Sequence, residues 1–399
     1  MSHLSLTPRR RGWRGLIAAA ATVVASACAQ PIPVAQPEPS TDTPPPRTSR
    51  TARPRGAPVP EANAGPYQQA RWPIKTSQHI DLWLHSFALV SEDTLRVPLY
   101  LRGYRDSLTV LKNRANVLTS LDVNRTTLAK RLAQSPSYLQ AQFLPFEFGS
   151  WEEMRLAAER VALRDANARG GDARADRSAV AAGANAFAAI FPTAADREWL
   201  RLFTTGVQDE QLRFFNAEHS RLVRTRAAVI TAVDSLWQRV YRPRFDRFLN
   251  NTGQRTGEVV LSVPIGGEGR SGVGRERQTV VVVPFPSRVA DAAQVVLVLA
   301  HELTGGLVNS VITDNTTPAE QRDGQADRYV AMAQVRTGAM LIEKTAPELS
   351  DAYMRFYLAQ SGVRTDVADV KTLFLRTYDI PAAIRDGLLR QLDIVLGGI

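Results

Sequence analysis

A proline-rich stretch near the start of the 399-residue chain limits where a folded domain can begin. Eleven of the 24 prolines lie between residues 29 and 70, among Ser, Thr, Gln and Ala and with almost no large apolar side chain. Such a segment cannot bury enough apolar surface to offset the entropy of ordering its backbone, and it is typical of an extended, semi-rigid spacer. We therefore expect the folded part to begin near residue 70.

The residues before this spacer have the pattern of an export signal. Four arginines precede an apolar stretch of thirteen residues, which is too short to span a bilayer as a finished helix. The small residues Ala25 and Ala27 then stand at positions −3 and −1 relative to Cys28, which is the only cysteine of the chain. We expect cleavage before Cys28, so that residues 1–27 are a signal peptide.

The segment Ala25-Ser26-Ala27-Cys28 resembles the lipobox of bacterial lipoproteins. The resemblance implies that the Cys28 sulfur carries a diacylglycerol and that residues 28–70 tether the folded part to a membrane of the cell envelope, facing the periplasm. Plain secretion after the same cut, or an uncleaved anchor, is the alternative. Loss of the leader's four arginines lowers the formal charge from +10 to +6, so nucleic acid is not an expected partner.

The rest of the sequence predicts a mainly α fold of the α+β class. From about Thr76 the apolar residues recur with helical spacing, and a charged, glycine-rich segment at Ala166–Ser178 predicts a loop between helices. Pro243 predicts a kink or break near Tyr241. We expect these helices to form a subdomain over residues 71–252.

Strands are predicted only after residue 255. Two β-branched runs, Glu258–Ile265 and Gln278–Phe285, flank a glycine-rich segment and predict a β-hairpin. The segment Gly267–Gly272 between them matches G-x-G-x-x-G, but a second strand and not a helix follows it, so we expect a flexible hairpin tip and no nucleotide site. Helices follow the hairpin and complete a second subdomain over residues 253–399.

His301 and Glu302 form the pair that most suggests chemistry. They lie within the apolar predicted helix 289–312, directly after the second β-branched run. In the H-E-x-x-H motif two histidines one helical turn apart bind zinc, and the glutamate between them activates the metal-bound water. In this chain the position of the second histidine is occupied by Gly305.

About twenty residues later an acidic segment opens the next predicted helix. Glu320, Asp323 and Asp327 are spaced to share one face of it. Strand, H-E helix and acidic helix together resemble the zincin metallopeptidases of the gluzincin type, with a degenerate H-E-x-x-H motif. The resemblance implies that His301 is the first zinc ligand, Glu302 the general base and Asp323 the carboxylate ligand.

Gly305 leaves three interpretations open. Since a catalytic zinc typically needs three protein ligands beside its water, the first is a domain that has lost catalysis, needs no cofactor and binds a protein or peptide. The second is an active, atypical zinc metallopeptidase that uses His301, Glu302 and Asp323. The third is a purely helical envelope scaffold without enzymatic ancestry.

The helical half offers three further histidines. His79, His85 or His219 could complete the zinc site of an active enzyme. Asp81 and His85, one turn apart on the first predicted helix, could also share a metal or a proton. The aromatic residues beside them favour instead a hydrogen-bonded polar edge of a packed helix.

Overall fold

The computed structural model describes residues 71–91, 97–163 and 179–397. The signal peptide, Cys28, the whole tether to residue 70 and the loop predicted at Ala166–Ser178 lie outside these residues. The described residues belong to one structural unit, which is mainly helical with one small sheet. This composition confirms the predicted fold class.

The helices before the main strands include those that carry the histidines of the helical half. Within the described residues they are α1 (Gln78–Val90), α2 (Tyr104–Arg114), α3 (Ser120–Gln134), α4 (Trp151–Ala162), α5 (Ala179–Ile190), α6 (Ala194–Glu210), α7 (Asn216–Thr225), α8 (Ala227–Leu236) and α9 (Arg242–Asn251). A 3-10 segment follows α3, and two π-helical turns follow α6 and α8.

The helices after the strands include the one that carries the His–Glu pair. They are α10 (Gln294–Leu303), α11 (Gly305–Asn315), α12 (Pro318–Arg322), α13 (Gln325–Thr345), α14 (Ser350–Gln360), α15 (Val370–Thr377) and α16 (Ala382–Gly397). The strands are β1 (Ile74–Lys75), β2 (Gly257–Ser262), β3 (Arg270–Val273) and β4 (Thr279–Pro284).

Local sequence signals account for several helix boundaries. Ser77 precedes α1 in an extended conformation, and its side chain makes no capping hydrogen bond. Thr193 and Asp196 form a reciprocal capping box that satisfies two backbone N–H groups at the start of α6. Near the kink or break predicted from Pro243 the backbone stays helical but changes to a π-helical turn that ends at Tyr241, and Pro243 lies in the first turn of α9.

The sheet has the order β1-β2-β4-β3, which differs from the predicted hairpin. β2 and β4 are parallel neighbours, with Val259 paired to Val281, and β3 pairs antiparallel with β4 at the edge of the sheet. The predicted pairing of the two β-branched runs is therefore wrong. The expected hairpin tip is wrong as well, since the second half of the glycine-rich segment is strand β3. Parallel pairing agrees with the burial of both runs on both faces.

The sheet separates two hydrophobic cores. Val259 and Val281 face the core that contains α10 and most C-terminal helices, whereas Val260 and Val282 face the core of the N-terminal helices. Alternation along a strand sends successive side chains to opposite faces, so β2 and β4 serve both cores. Helices α8 and α9, placed by sequence in the helical subdomain, contribute to the core around α10.

Helix α10 lies in the middle of the C-terminal core. It packs against β4 on one side and against α13 on the other, and every residue from Val295 to Leu303 is buried. The stretch Val289–Asn315 is apolar and long enough to cross a membrane by length and composition, yet 72% of its most apolar window is buried inside the fold. Such burial is usual for the core helix of a soluble protein.

Candidate functional site

His301 and Glu302 lie in the last turn of α10, where the helix meets α13. Their residues are 3% and 4% exposed, respectively. Gly338 of α13 makes this close approach possible, since a Cβ there would lie 3.1 Å from the Cα of His301. The pair is thus held by the contact of two helices and not by a surface loop.

The imidazole of His301 has one engaged and one free nitrogen. Nδ1 lies 3.0 Å from Oε1 of Glu302, and the ring stacks on Tyr357 of α14 with 5.1 Å between centroids. Nε2 has no hydrogen-bond partner within the described residues. In the tautomer that carries its hydrogen on Nδ1, the ring donates to Glu302 and Nε2 is an acceptor.

Positive charge from β3 balances Glu302. Arg270 forms an ion pair with Glu268, and its side chain also interacts electrostatically with Glu302. Burial alone lowers the pKa of the Arg270 guanidinium, but the negative charges of Glu268 and Glu302 outweigh burial and raise it. Burial, Tyr353 and Glu302 together raise the pKa of the Tyr357 hydroxyl well above its ordinary value, so Tyr357 is a neutral wall of the site.

Gly305 opens α11 beside the pair and leaves space at the second-histidine position. A Cβ built there would meet one atom within 4 Å, Nε2 of Gln334 at 3.7 Å. That distance is ordinary van der Waals contact. A larger side chain can therefore begin at position 305 without moving the backbone.

The acidic helix predicted to carry the third ligand is interrupted. Asp323 ends α12, and Gly324 follows with φ of +69°, so that α13 starts only at Gln325. The prediction that Glu320, Asp323 and Asp327 share one helical face is wrong, because Gly324 breaks the helix between them. Asp323 is exposed.

The contacts of α13 with His301 lie farther along that helix. Gln334 donates a hydrogen bond to the carbonyl of His301, and Gln334 is nine residues beyond the start of α13 at Gln325. At the helical rise this is about 14 Å along the axis. Asp323, which precedes Gln325, is therefore not brought to the His–Glu pair in this conformation.

The histidines of the helical half are engaged elsewhere. His79 contacts Ser77 and the carbonyl of Pro145, while His219 contacts Asp81 at 3.1 Å. Within the described ranges no three His, Cys, Asp or Glu side chains cluster as a metal site would require. The residues around His301 consequently do not fit a three-ligand zinc site.

A buried polar network occupies the helical half, and the sequence did not predict its extent. His85 contacts Tyr104 through Nδ1 at 2.9 Å and Glu210 through Nε2 at 3.0 Å. Lys112 binds the other oxygen of Glu210 at 2.6 Å and also binds Asp122. His85 and Glu210 are 1% and 0% exposed, so the expected polar edge of α1 is in fact its interior.

A cavity of about 200 Å³ adjoins His301. Val97, Met332 and Val335 form apolar parts of its wall, and Glu268 and Arg328 are its charged residues. Asp323 does not line it. The site thus combines a buried imidazole, an apolar wall and charge, a combination suited to holding a small ligand in one orientation.

Comparison with known proteins gives no family for this chain. No protein-family model matches it, and neither a curated protein nor a solved structure shows significant similarity to it.

Proposed function

We propose that this chain is an exported lipoprotein of the bacterial cell envelope whose C-terminal half binds a ligand beside His301 and does not hydrolyse peptides. In this proposal the half is a degenerate zincin that has kept the His–Glu pair and lost the metal site. The membrane is a partner through the lipid on Cys28, and a protein or peptide is the ligand.

The hydrogen bond between His301 and Glu302 carries the proposal. A general base must reach the water that it activates, whereas the carboxylate of Glu302 is 3.0 Å from the neighbouring imidazole and almost fully buried. The carboxylate of Glu302 is therefore engaged by Nδ1 of His301 inside the protein. The adjoining cavity supports a binding role, because its lining combines apolar side chains with polar and charged ones that can orient a ligand.

Gly305→His tests the zincin part of the proposal. We expect the wild-type protein to purify with substoichiometric zinc and to release no product from a peptide library. Restoring a histidine one turn after His301 should raise zinc affinity by at least about a hundredfold, because full structural sites gain ~10–16 kcal/mol from their complete ligand sets. Zinc content and competitive chelator titration measure the change.

Gly306→His is the matched control, since position 306 is also open but points about 100° away around the helix. The control should leave zinc affinity at the wild-type level. Tight zinc and hydrolysis in the wild type would overturn the binding role. Equal affinities of the two variants, with unchanged circular dichroism, would remove the zincin component and favour the helical scaffold.

The location is proposed from the leader, and Cys28→Ala tests it. Without the thiol no diacylglycerol can be attached, so the protein should move from the membrane fraction to the soluble fraction almost completely. Fractionation followed by immunoblotting measures this. Ser40→Ala in the tether keeps Cys28 and should stay with membranes. If Cys28→Ala also stays there, lipidation is not what anchors the protein.

A further inference from the structure

Nε2 of His301 adds a hydrogen-bonding atom to the partly apolar cavity. The residue is 3% exposed, it lines the cavity, and its Nε2 has no partner within the described residues. With the Nδ1 hydrogen donated to Glu302, Nε2 accepts a hydrogen bond. Nε2 keeps some solvent-accessible surface, so a ligand N–H or O–H group in the cavity can reach it and form a hydrogen bond.

Arg328 supplies an uncompensated positive charge at the same cavity. Its side chain is exposed and has no ion pair or hydrogen bond in the part of the chain that the structure describes. Glu268, the other charged residue of the lining, is already paired with Arg270. Guanidinium groups match carboxylates in planar, two-bond geometry, so Arg328 favours a ligand with a carboxylate.

The size of the cavity limits the ligand. At about 200 Å³ it is smaller than the pockets of ~300–1,000 Å³ that take drug-sized molecules. It suits one aliphatic side chain against Val97, Met332 and Val335. The ligand therefore needs a compact apolar group with a hydrogen-bond donor and a carboxylate close to it.

We propose that the cavity binds N-acylated α-amino acids with an aliphatic side chain, either as free acyl amino acids or as the C-terminal residue of a peptide. The side chain enters the cavity, the amide N–H donates to Nε2 of His301, and the carboxylate binds Arg328. This inference rests on the proposed binding function and specifies its ligand class.

Calorimetric titration of the full chain in detergent tests the ligand class. The probes are N-acetyl-leucine, the peptide Ala-Ala-Ala-Leu and the same peptide with a C-terminal amide. We expect binding of the acids, and at least about tenfold weaker binding of the amide, because a hydrogen-bonded charge is lost. Tighter binding of the peptide acid than of N-acetyl-leucine supports a peptide C-terminus, and equal binding supports a free acyl amino acid.

Two variants assign the binding to this cavity. Arg328→Gln should weaken binding of the two acids at least about tenfold, and the variant should bind the peptide acid and the peptide amide equally. Ala331→Phe, at an exposed position of the lining, should narrow the entrance and weaken all three probes. Arg322→Gln is the control, since Arg322 is an exposed arginine outside the lining, and it should leave every affinity unchanged.

The possible failures are distinguishable. If acid and amide bind the wild type equally, the ligand class is wrong while a binding role remains. If no probe binds, or if Arg328→Gln and Ala331→Phe change nothing, the assignment to this cavity is overturned. None of these results alters the zinc and hydrolysis measurements that decide the proposed function.

Discussion

Replacing Glu210 by Gln should lower the free energy of unfolding by about 3 kcal/mol at neutral pH. Burial by itself raises the pKa of this carboxyl, but the hydrogen bond and charge of His85 and the charge of Lys112 outweigh burial and bring the pKa to about 2. The substitution keeps the shape and removes the charge, so Lys112 loses a buried partner. Urea unfolding followed by circular dichroism measures the loss.

The pH dependence of unfolding gives the same prediction an independent check. The folded-state pKa of Glu210 lies below its ordinary value of 4.5, so its charge stabilises the fold above about pH 4.5 and ceases to do so as the pH falls toward 2. The difference in the free energy of unfolding between wild type and Glu210→Gln should therefore shrink as the pH falls from about 4.5 toward 2. Glu198→Gln, which breaks an exposed ion pair on the same helix, should cost less than about 1 kcal/mol. Equal losses of unfolding free energy in Glu210→Gln and Glu198→Gln would contradict a stabilising role for the buried network.

Helix positions were predictable because their signals are local. Helical spacing begins at about Thr76 and α1 begins at Gln78, while Pro243 lies directly after the π-helical turn near which the sequence predicts a kink or break. Two interruptions were not predicted: the expected helix 289–312 is divided at Thr304 into α10 and α11, and the backbone conformation at Gly324 breaks the acidic helix. A glycine tolerates both helix and left-handed turn, and a helical spacing of acidic residues on either side does not distinguish the two.

Strand pairing was harder to predict from the sequence, although one signal for parallel pairing was present. The run from Val280 to Val283 is continuously apolar and does not alternate, which is typical of a strand buried on both faces in a parallel arrangement. A hairpin with one solvated face predicts alternation. The antiparallel strand β3 is short and contains Gly272, so its sequence has little strand character.

The polar network could not be predicted from spacing. His85 and Glu210 are 125 positions apart, and Lys112 and Glu210 are 98 apart. Only the chain fold brings them together. The one available signal was that Asp81 and His85 lie on a helix whose neighbouring residues are almost all apolar, which already argues for burial with partners from other helices.

The same limit applies to the His–Glu pair. Position 305 was recognised from the motif, but the hydrogen bond between His301 and Glu302, the ring of Tyr357 and the cavity are tertiary features. Arg328 was not selected from the sequence, because an arginine on a predicted helix is ordinarily a solvated residue. Its lack of a partner beside a cavity is visible only in the fold.

Gly338→Val should destabilise the protein by about 3 kcal/mol and should weaken ligand binding at His301. A Cβ at this position would lie 2.1 Å from the hydroxyl oxygen of Tyr353 and 3.1 Å from the Cα of His301. Tyr353 is fully buried and donates to the carbonyl of Val335, so neither it nor the α10 backbone can move cheaply. Overpacking of this kind typically costs about 1–3 kcal/mol and more for a branched side chain.

Gly306→Val separates this clash from the general effect of valine in a helix. Gly306 also lies in a helix, α11, but a Cβ there has no atom within 4 Å. Valine has a higher helix propensity than glycine, so the control should be neutral or slightly stabilising. Thermal unfolding, together with titration of N-acetyl-leucine, compares the two variants. If Gly338→Val unfolds and binds like Gly306→Val, then α10 and α13 are not in close contact at this point, and the position assigned to His301 is wrong. A selective loss in Gly338→Val would mean that the helix contact, rather than a metal, holds the imidazole at the cavity.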